Sequence, residues 1–143
     1  MKVVGLGQPA AGDDGVGLAV LNALGDVDAE LVPLRDASPL VELLDGTPLL
    51  LVDALVGAGE PGSLRWLTAA DLGRASLWST HGLSVPDAIG LAQAIHGPDA
   101  ADGLEVLAIC IEAPTGPCFE LSPTVAAAVP QAAEAVRQRL RGT

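Results

Sequence analysis

Short, almost wholly apolar runs alternate along the chain with longer amphipathic segments. A strand covered on both faces of a sheet has little need of polar positions, and Lys2–Leu6, Leu49–Ala54 and Leu104–Ile111 have this character. Glu30–Leu34 and Ser63–Leu67 are shorter runs that predict two further strands. The pattern therefore predicts a sheet of about five strands.

The segments between these strands predict helices. Asp14–Leu24 and Leu83–Ile95 carry apolar residues at close to helical spacing. Further helices are predicted at Pro39–Leu44 and Ser122–Leu140. The basic residues near the end of the last helix suit the negative end of its dipole: Arg137, Arg139 and Arg141.

Strands that alternate with helices predict an α/β fold. We expect a three-layer sandwich with a mostly parallel sheet and helices on both faces. Ser63–Leu67 follows its predecessor through a short turn, so it is expected to be an antiparallel edge strand. The length of 143 residues fits one domain, predicted to span residues 1–143.

The net charge of −11 disfavours two classes of partner. Eighteen acidic and seven basic residues would repel nucleic acid and anionic membranes. The start of the chain has no signal-peptide pattern, and no apolar run approaches the roughly 20 residues of a membrane helix. We therefore expect a cytoplasmic monomer that binds neither nucleic acid nor membranes.

The two cysteines have no metal-binding spacing. Cys110 lies inside an apolar run and is expected to be a buried thiol, whereas Cys118 lies in a predicted loop. They are eight residues apart, which matches no zinc pattern. A disulfide between them is not expected in the cytosol.

A glycine-rich segment, Gly5–Gly17, directly follows the first predicted strand. Such a loop suggests phosphate binding, but the glycines lack the GxGxxG spacing and no Walker lysine follows. Asp13 and Asp14 would also place negative charge where a phosphate needs positive potential. One aspartate is expected to cap the helix, and the other to be a metal ligand or catalytic carboxylate.

Two further polar residues are predicted at the same edge of the sheet. Asp53 ends a buried strand, where it is either a structural carboxylate bonded to loop amides or a metal or acid–base group. His81 precedes a helix, and His96, at that helix's end, is expected to be solvated. Because the carboxyl ends of parallel strands form one crevice, Asp14, Asp53 and His81 are predicted to converge there. Two carboxylates and one imidazole suit nickel, zinc or manganese.

The segment Gly5–Gly17, with Gly-Asp-Asp-Gly-Val-Gly, resembles the N-terminal signature of the nickel–iron hydrogenase maturation endopeptidases. Asp53 after an apolar strand and Ser79-Thr80-His81 before a helix match the positions of that family's further ligands. Arg35-Asp36-Ala37-Ser38 resembles its aspartate segment after the second strand. Leu121-Ser122-Pro123-Thr124-Val125 is similar to its closing motif, so the resemblance runs nearly end to end.

The resemblance implies an endopeptidase that removes the C-terminal extension of a nickel-loaded hydrogenase large-subunit precursor. Asp14, Asp53 and His81 would contact the nickel, and Asp36 would be a further catalytic residue. The nickel would arrive with the substrate, and no tightly bound cofactor is expected in the isolated protein.

Two other functions stay open at this point. One is a non-catalytic metal or small-ligand binding module on the same fold, and the other is a hydrolase that holds its own metal. The chain also departs from the family pattern. Gln8 stands where asparagine is usual, Pro9 is more rigid than the usual residue, and Asp36 lacks the glycines that normally follow it.

Overall fold

The structure is a computed structural model that describes residues 1–57, 59–72 and 83–142. Within these residues, five strands form one sheet: β1 (Lys2–Leu6), β2 (Glu30–Leu34), β3 (Leu49–Val56), β4 (Leu64–Thr68) and β5 (Leu104–Ile111). The helices are α1 (Val16–Ala23), α2 (Leu40–Leu43), α3 (Ala69–Leu72), α4 (Val85–His96) and α5 (Pro123–Arg141). None of these described helices is long and apolar enough to span a lipid bilayer.

The strands lie in the order β2-β1-β3-β5-β4. All pairs are parallel except the pair of β4 with β5, so β4 is an antiparallel edge strand. This confirms the predicted α/β fold. The chain passes from β1 to β2 on one side and then to β3 on the other side of β1, so the strand order reverses between β1 and β3. In open α/β sheets, ligands bind in the crevice at the carboxyl ends of the strands at such a reversal.

Alternate residues of the central strand β3 enter two separate cores. Leu51 and Leu55 pack on one face of the sheet, together with residues of α2, α3 and α4. Leu50 and Val52 pack on the other face, with residues of α1 and α5. Because side chains alternate along a strand, Asp53 lies on the face of Leu51 and Leu55, the one that α2, α3 and α4 cover.

Several boundaries differ by one or two residues from those predicted, and two of the differences concern the candidate site. The helix predicted from Asp14 begins at Val16, because Gly12–Gly15 forms a separate 3-10 turn ahead of it. The strand predicted to end at Ala54 continues to Val56, because β5 pairs with β3 along its whole length. Asp14 therefore belongs to a tight turn, and Asp53 lies within a strand. The short helix α3 was not predicted.

The arginines of α5 bind other elements of the fold. Arg137 donates to the carbonyl oxygens of Ala23 at 2.7 Å and Leu24 at 3.3 Å, which are at the C-terminal end of α1. Arg139 forms an ion pair with Glu105 on β5. The positive charge of Arg137 thus also interacts favourably with the C-terminal end of the α1 dipole. The sequence had predicted this interaction for the dipole of α5 alone. These bonds tie α5 to the layer that carries the glycine-rich segment.

Candidate functional site

Close backbone packing places the start of α1 between the carboxyl ends of β1 and β3. A Cβ atom at Gly17 would lie 2.5 Å from the carbonyl oxygens of both Leu6 and Val52, which is too close for any side chain. Gly7 is likewise pressed against the backbone of Asp14. Only glycine allows this approach of two backbones. The turn that carries Asp14 is therefore held at the reversal of strand order.

Asp14 is half-buried in the 3-10 turn. Its Oδ2 accepts a hydrogen bond of 3.0 Å from the backbone N–H of Gln8. Burial raises the pKa of Asp14 above its usual value, and the Gln8 N–H opposes that rise. The hydrogen bond thus fixes the orientation of the carboxylate, but it only partly replaces the hydration that the carboxylate loses on burial.

Asp53 is also half-buried, one position beyond the last pair that joins β1 to β3, Gly5 with Val52. Its Oδ1 accepts a hydrogen bond of 2.7 Å from the N–H of Ala54. Burial raises the pKa of Asp53 well above its usual value, the Ala54 N–H opposes this, and the negative charge of Asp14 adds to it. The structure therefore brings the two carboxylates within electrostatic reach of each other.

The third predicted ligand, His81, lies outside the described residues, as does the Ser79-Thr80 pair before it. The described helices nearest to it in the chain, α3 and α4, pack on the same face of the sheet as Asp53. Its approach to Asp14 and Asp53 stays a prediction. His96 lies in the last turn of α4, with Nε2 3.8 Å from a carboxylate oxygen of Glu42.

Asp13 has a different function from the expected helix cap. Neither the 3-10 turn nor α1 has a side-chain hydrogen bond at its N-terminus. Asp13 instead accepts hydrogen bonds from the N–H of Ser122 at 2.7 Å and from its hydroxyl at 2.8 Å. Successive side chains of a 3-10 turn point about 120° apart, so Asp13 and Asp14 face different neighbours. Asp13 fastens the turn to the start of α5.

Asp36 lies in the loop after β2 and is exposed. Its Oδ1 accepts a hydrogen bond of 2.9 Å from the N–H of Ser38, and hydrogen bonding to Ser38 lowers the pKa of Asp36. The preceding carbonyl, that of Arg35, accepts a hydrogen bond of 2.8 Å from the side-chain amide of Gln8. The loop that carries Asp36 is thus bonded to the loop that carries Asp14.

The loop between β5 and α5 forms another wall of this edge. Gly12 donates to the carbonyl of Cys118 at 2.7 Å, and the N–H of Cys118 donates to Ala10 at 2.8 Å. A pocket of about 310 Å³ lies beside this contact, bordered by Asp13 and Ser122. Cys118 is exposed, Cys110 is buried, and both are free, as the sequence predicted.

Sequence reasoning missed the two residues that connect these loops, Gln8 and Ser122. Gln8 was noted only as a departure from a family pattern, and Ser122 only as part of a motif. A serine before Pro123 is a typical helix start, but its partner is 109 positions away. No local signal could have identified that partner.

The described residues include only part of the predicted metal-binding set. Among them, no group of three or more histidine, cysteine, aspartate or glutamate side chains is arranged to hold a metal ion. Asp14 and Asp53 offer oxygen donors that suit a divalent cation. A complete coordination sphere therefore requires donors from outside the described residues.

Comparison with solved structures gives the same fold repeatedly. A [NiFe] hydrogenase maturation protease HybD from Thermococcus kodakarensis has a TM-score of 0.73 and 19% identity, with 97% of each chain covered. The hydrogenase maturating endopeptidase HybD from E. coli has 0.71 and 23%, covering 99% of this chain and 91% of the other. A hydrogenase 2 maturation peptidase from a Thaumarchaeota archaeon has 0.64 and 24%, covering 97% and 96%.

The family itself is identified from the sequence. No curated protein sequence gives a significant match. A family model described as "HycI: Hydrogenase maturation protease" matches residues 32–139, which include Asp36 and Asp53 and exclude the glycine-rich segment. Since that match covers most of the chain, the protein belongs to the hydrogenase maturation protease family and is a peptidase.

Proposed function

We propose that this protease removes the C-terminal extension of a nickel-loaded hydrogenase large-subunit precursor. Asp14, Asp53 and His81 recognise the nickel, which the substrate carries. Family membership supports the reaction class, and the names of the similar structures support the type of substrate. The pair formed by Asp14 and Asp53 supports the recognition step.

The observation that carries the proposal is the placement of two half-buried carboxylates at the reversal of strand order. Burial makes the charged form of each unfavourable, and the charge of Asp14 adds to the cost at Asp53. A divalent cation between them removes the repulsion and replaces lost hydration. The crevice between β1 and β3 therefore favours the binding of a divalent cation that the substrate carries.

The number of donors explains why the nickel comes with the substrate. Two carboxylates and one imidazole leave coordination positions open, and the isolated protein holds no metal tightly. Thiolates of the precursor fill the remaining positions, since soft thiolate ligands bind nickel well. Enzyme and precursor then share the ion. A precursor without nickel lacks this bridge, so cleavage reports that the metal has been inserted.

Asp36 serves the substrate chain rather than the ion. Its hydrogen bond from Ser38 keeps the carboxylate charged and exposed at the end of β2, beside the crevice. From there it contacts the peptide next to the nickel and helps to hold the scissile segment in one orientation. We also propose that the protein acts as a cytoplasmic monomer without a resident cofactor.

The test compares nickel-loaded with nickel-free precursor at equal enzyme concentration, with cleavage scored by mass spectrometry. Only the loaded precursor should be cut, and casein should stay intact. Metal analysis of the purified protease should find far less than one ion per chain. Equal cleavage of both precursors, or cleavage of casein, would instead indicate a hydrolase that uses its own metal.

A further inference from the structure

We infer that Gln8 is a positioning residue of this protease, which holds the loop of Asp14 and the loop of Asp36 in a fixed relation. The inference rests on the proposed function, because it concerns the same site.

Three polar groups of Gln8 are bonded, two within the glycine-rich segment and one to the segment before Asp36. The backbone N–H donates to Oδ2 of Asp14 at 3.0 Å, and the carbonyl accepts from the N–H of Ala11 at 3.0 Å. The side-chain amide donates to the carbonyl of Arg35 at 2.8 Å, across 27 positions of sequence. One residue therefore connects the glycine-rich turn to the segment just before Asp36.

The side-chain bond joins the segments that follow β1 and β2, just past the ends of both strands. Gly7 donates to the carbonyl of Leu34 at 3.0 Å, as in a parallel ladder. Pro9 has no N–H with which to extend this ladder. The side-chain amide of Gln8 instead donates to the carbonyl of Arg35, the residue after Leu34.

Pro9 makes the connection stiff. A residue before proline is restricted to extended conformations, so Gln8 has few alternatives to its observed backbone. A Cβ atom at Gly15 would lie 3.2 Å from Cα of Pro9. The backbone of Pro9 therefore packs directly on the turn that carries Asp14. The dipeptide thus supports Asp14 through the backbone and reaches Arg35 through the side chain.

The decisive variant is Gln8→Met, which keeps the length of the side chain and removes the amide. Gln131→Met is the matched control, because Gln131 is an exposed residue of α5 and belongs to neither of the two loops. We expect Gln8→Met to lower kcat roughly 10- to 100-fold, with KM changed less than about threefold, because misplacement of positioned groups reduces the chemical step. Gln131→Met should match the wild type, and Tm should be similar in all three proteins.

Amide hydrogen exchange on the substrate-free proteins gives an independent measurement. In Gln8→Met, exchange should become faster in both residues 10–15 and residues 35–38, and the control should show neither change. Unchanged exchange at residues 35–38, or an unchanged kcat, would overturn the inference. If the wild type itself fails to cut nickel-loaded precursor, the proposed function is wrong, and the exchange data still decide whether Gln8 connects the two loops.

Discussion

Asp13 and Asp14 are neighbours in the chain, yet they belong to two regions that differ in how fully their carboxylates are hydrogen-bonded. The α5 junction, made by Asp13 and Ser122, pairs both oxygens of a carboxylate with donors at 2.7 and 2.8 Å. The crevice, made by Asp14 and Asp53, gives each carboxylate one main-chain bond among the described residues and places the two charges within reach of each other.

We propose that this difference distinguishes a structural carboxylate from one that binds a ligand. A carboxylate whose oxygens are both bonded stabilises the fold, because its hydration has been replaced by fixed donors. Two half-buried carboxylates that repel each other cost stability unless a cation joins them. Substitutions at the α5 junction should therefore lower the stability of the protein, whereas substitutions in the crevice should lower its activity.

The largest effect is expected from Asp53→Asn. The change keeps the shape of the side chain but removes the charge, so cleavage of nickel-loaded precursor should fall on the order of 10² to 10⁴-fold. Tm should stay equal or rise, because a poorly solvated charge is lost. Normal cleavage, or a Tm far below that of the wild type, would show that Asp53 belongs with the structural carboxylates.

His81→Ala should also stop most processing, by about 100-fold or more, if the imidazole contacts the nickel. His96→Ala is the control, since His96 lies in the last turn of α4 near Glu42. The control should cleave within about twofold of the wild type, measured in the same mass-spectrometric assay. Similar losses in both variants would mean that the histidines act through folding rather than through the site.

The α5 junction should respond to Asp13→Asn and Ser122→Ala in stability. Asp13→Asn weakens both hydrogen bonds at the start of α5, and Ser122→Ala removes the bond from the hydroxyl. The free energy of unfolding should therefore fall by about 1–2 kcal/mol. Urea titration measures this loss. Folded enzyme should cut loaded precursor within about threefold of the wild-type rate. A large activity loss without any loss of stability would erase the distinction between Asp13 and Asp14.

The smallest effect concerns pH. The folded protein binds the proton of Asp53 more tightly than the unfolded chain, where the pKa is about 3.8. The contribution of this group to stability is therefore greatest below pH 3.8 and declines as pH rises through the elevated folded-state pKa. Asp53→Asn should remove the decline, so its Tm should exceed that of the wild type at pH 7.5. The two proteins should converge in acid, and a constant difference across pH would contradict the assignment.

The pattern of apolar runs was enough to predict most of the fold. Lys2–Leu6, Glu30–Leu34 and Leu104–Ile111 are strands with the predicted bounds. Buried strands can be recognised in the sequence because both of their faces must be apolar. Their alternation with helices predicts a mostly parallel sheet. The end of β3 was missed because its last residues are held by pairing with β5, which is a long-range contact.

The sequence by itself determined the fold class, the edge of the sheet at which Asp14 and Asp53 lie, and the residue types available there. Only the tertiary structure decided which groups surround each carboxylate. Asp13 and Asp14 have the same chemistry and adjacent positions, and their surroundings come from segments that are distant in the chain. Ser122 reaches Asp13 across 109 positions, whereas Asp14 meets the charge of Asp53 because Gly17 lets α1 approach both strand ends. Burial and electrostatic reach are properties of assembled elements, so no local pattern encodes them.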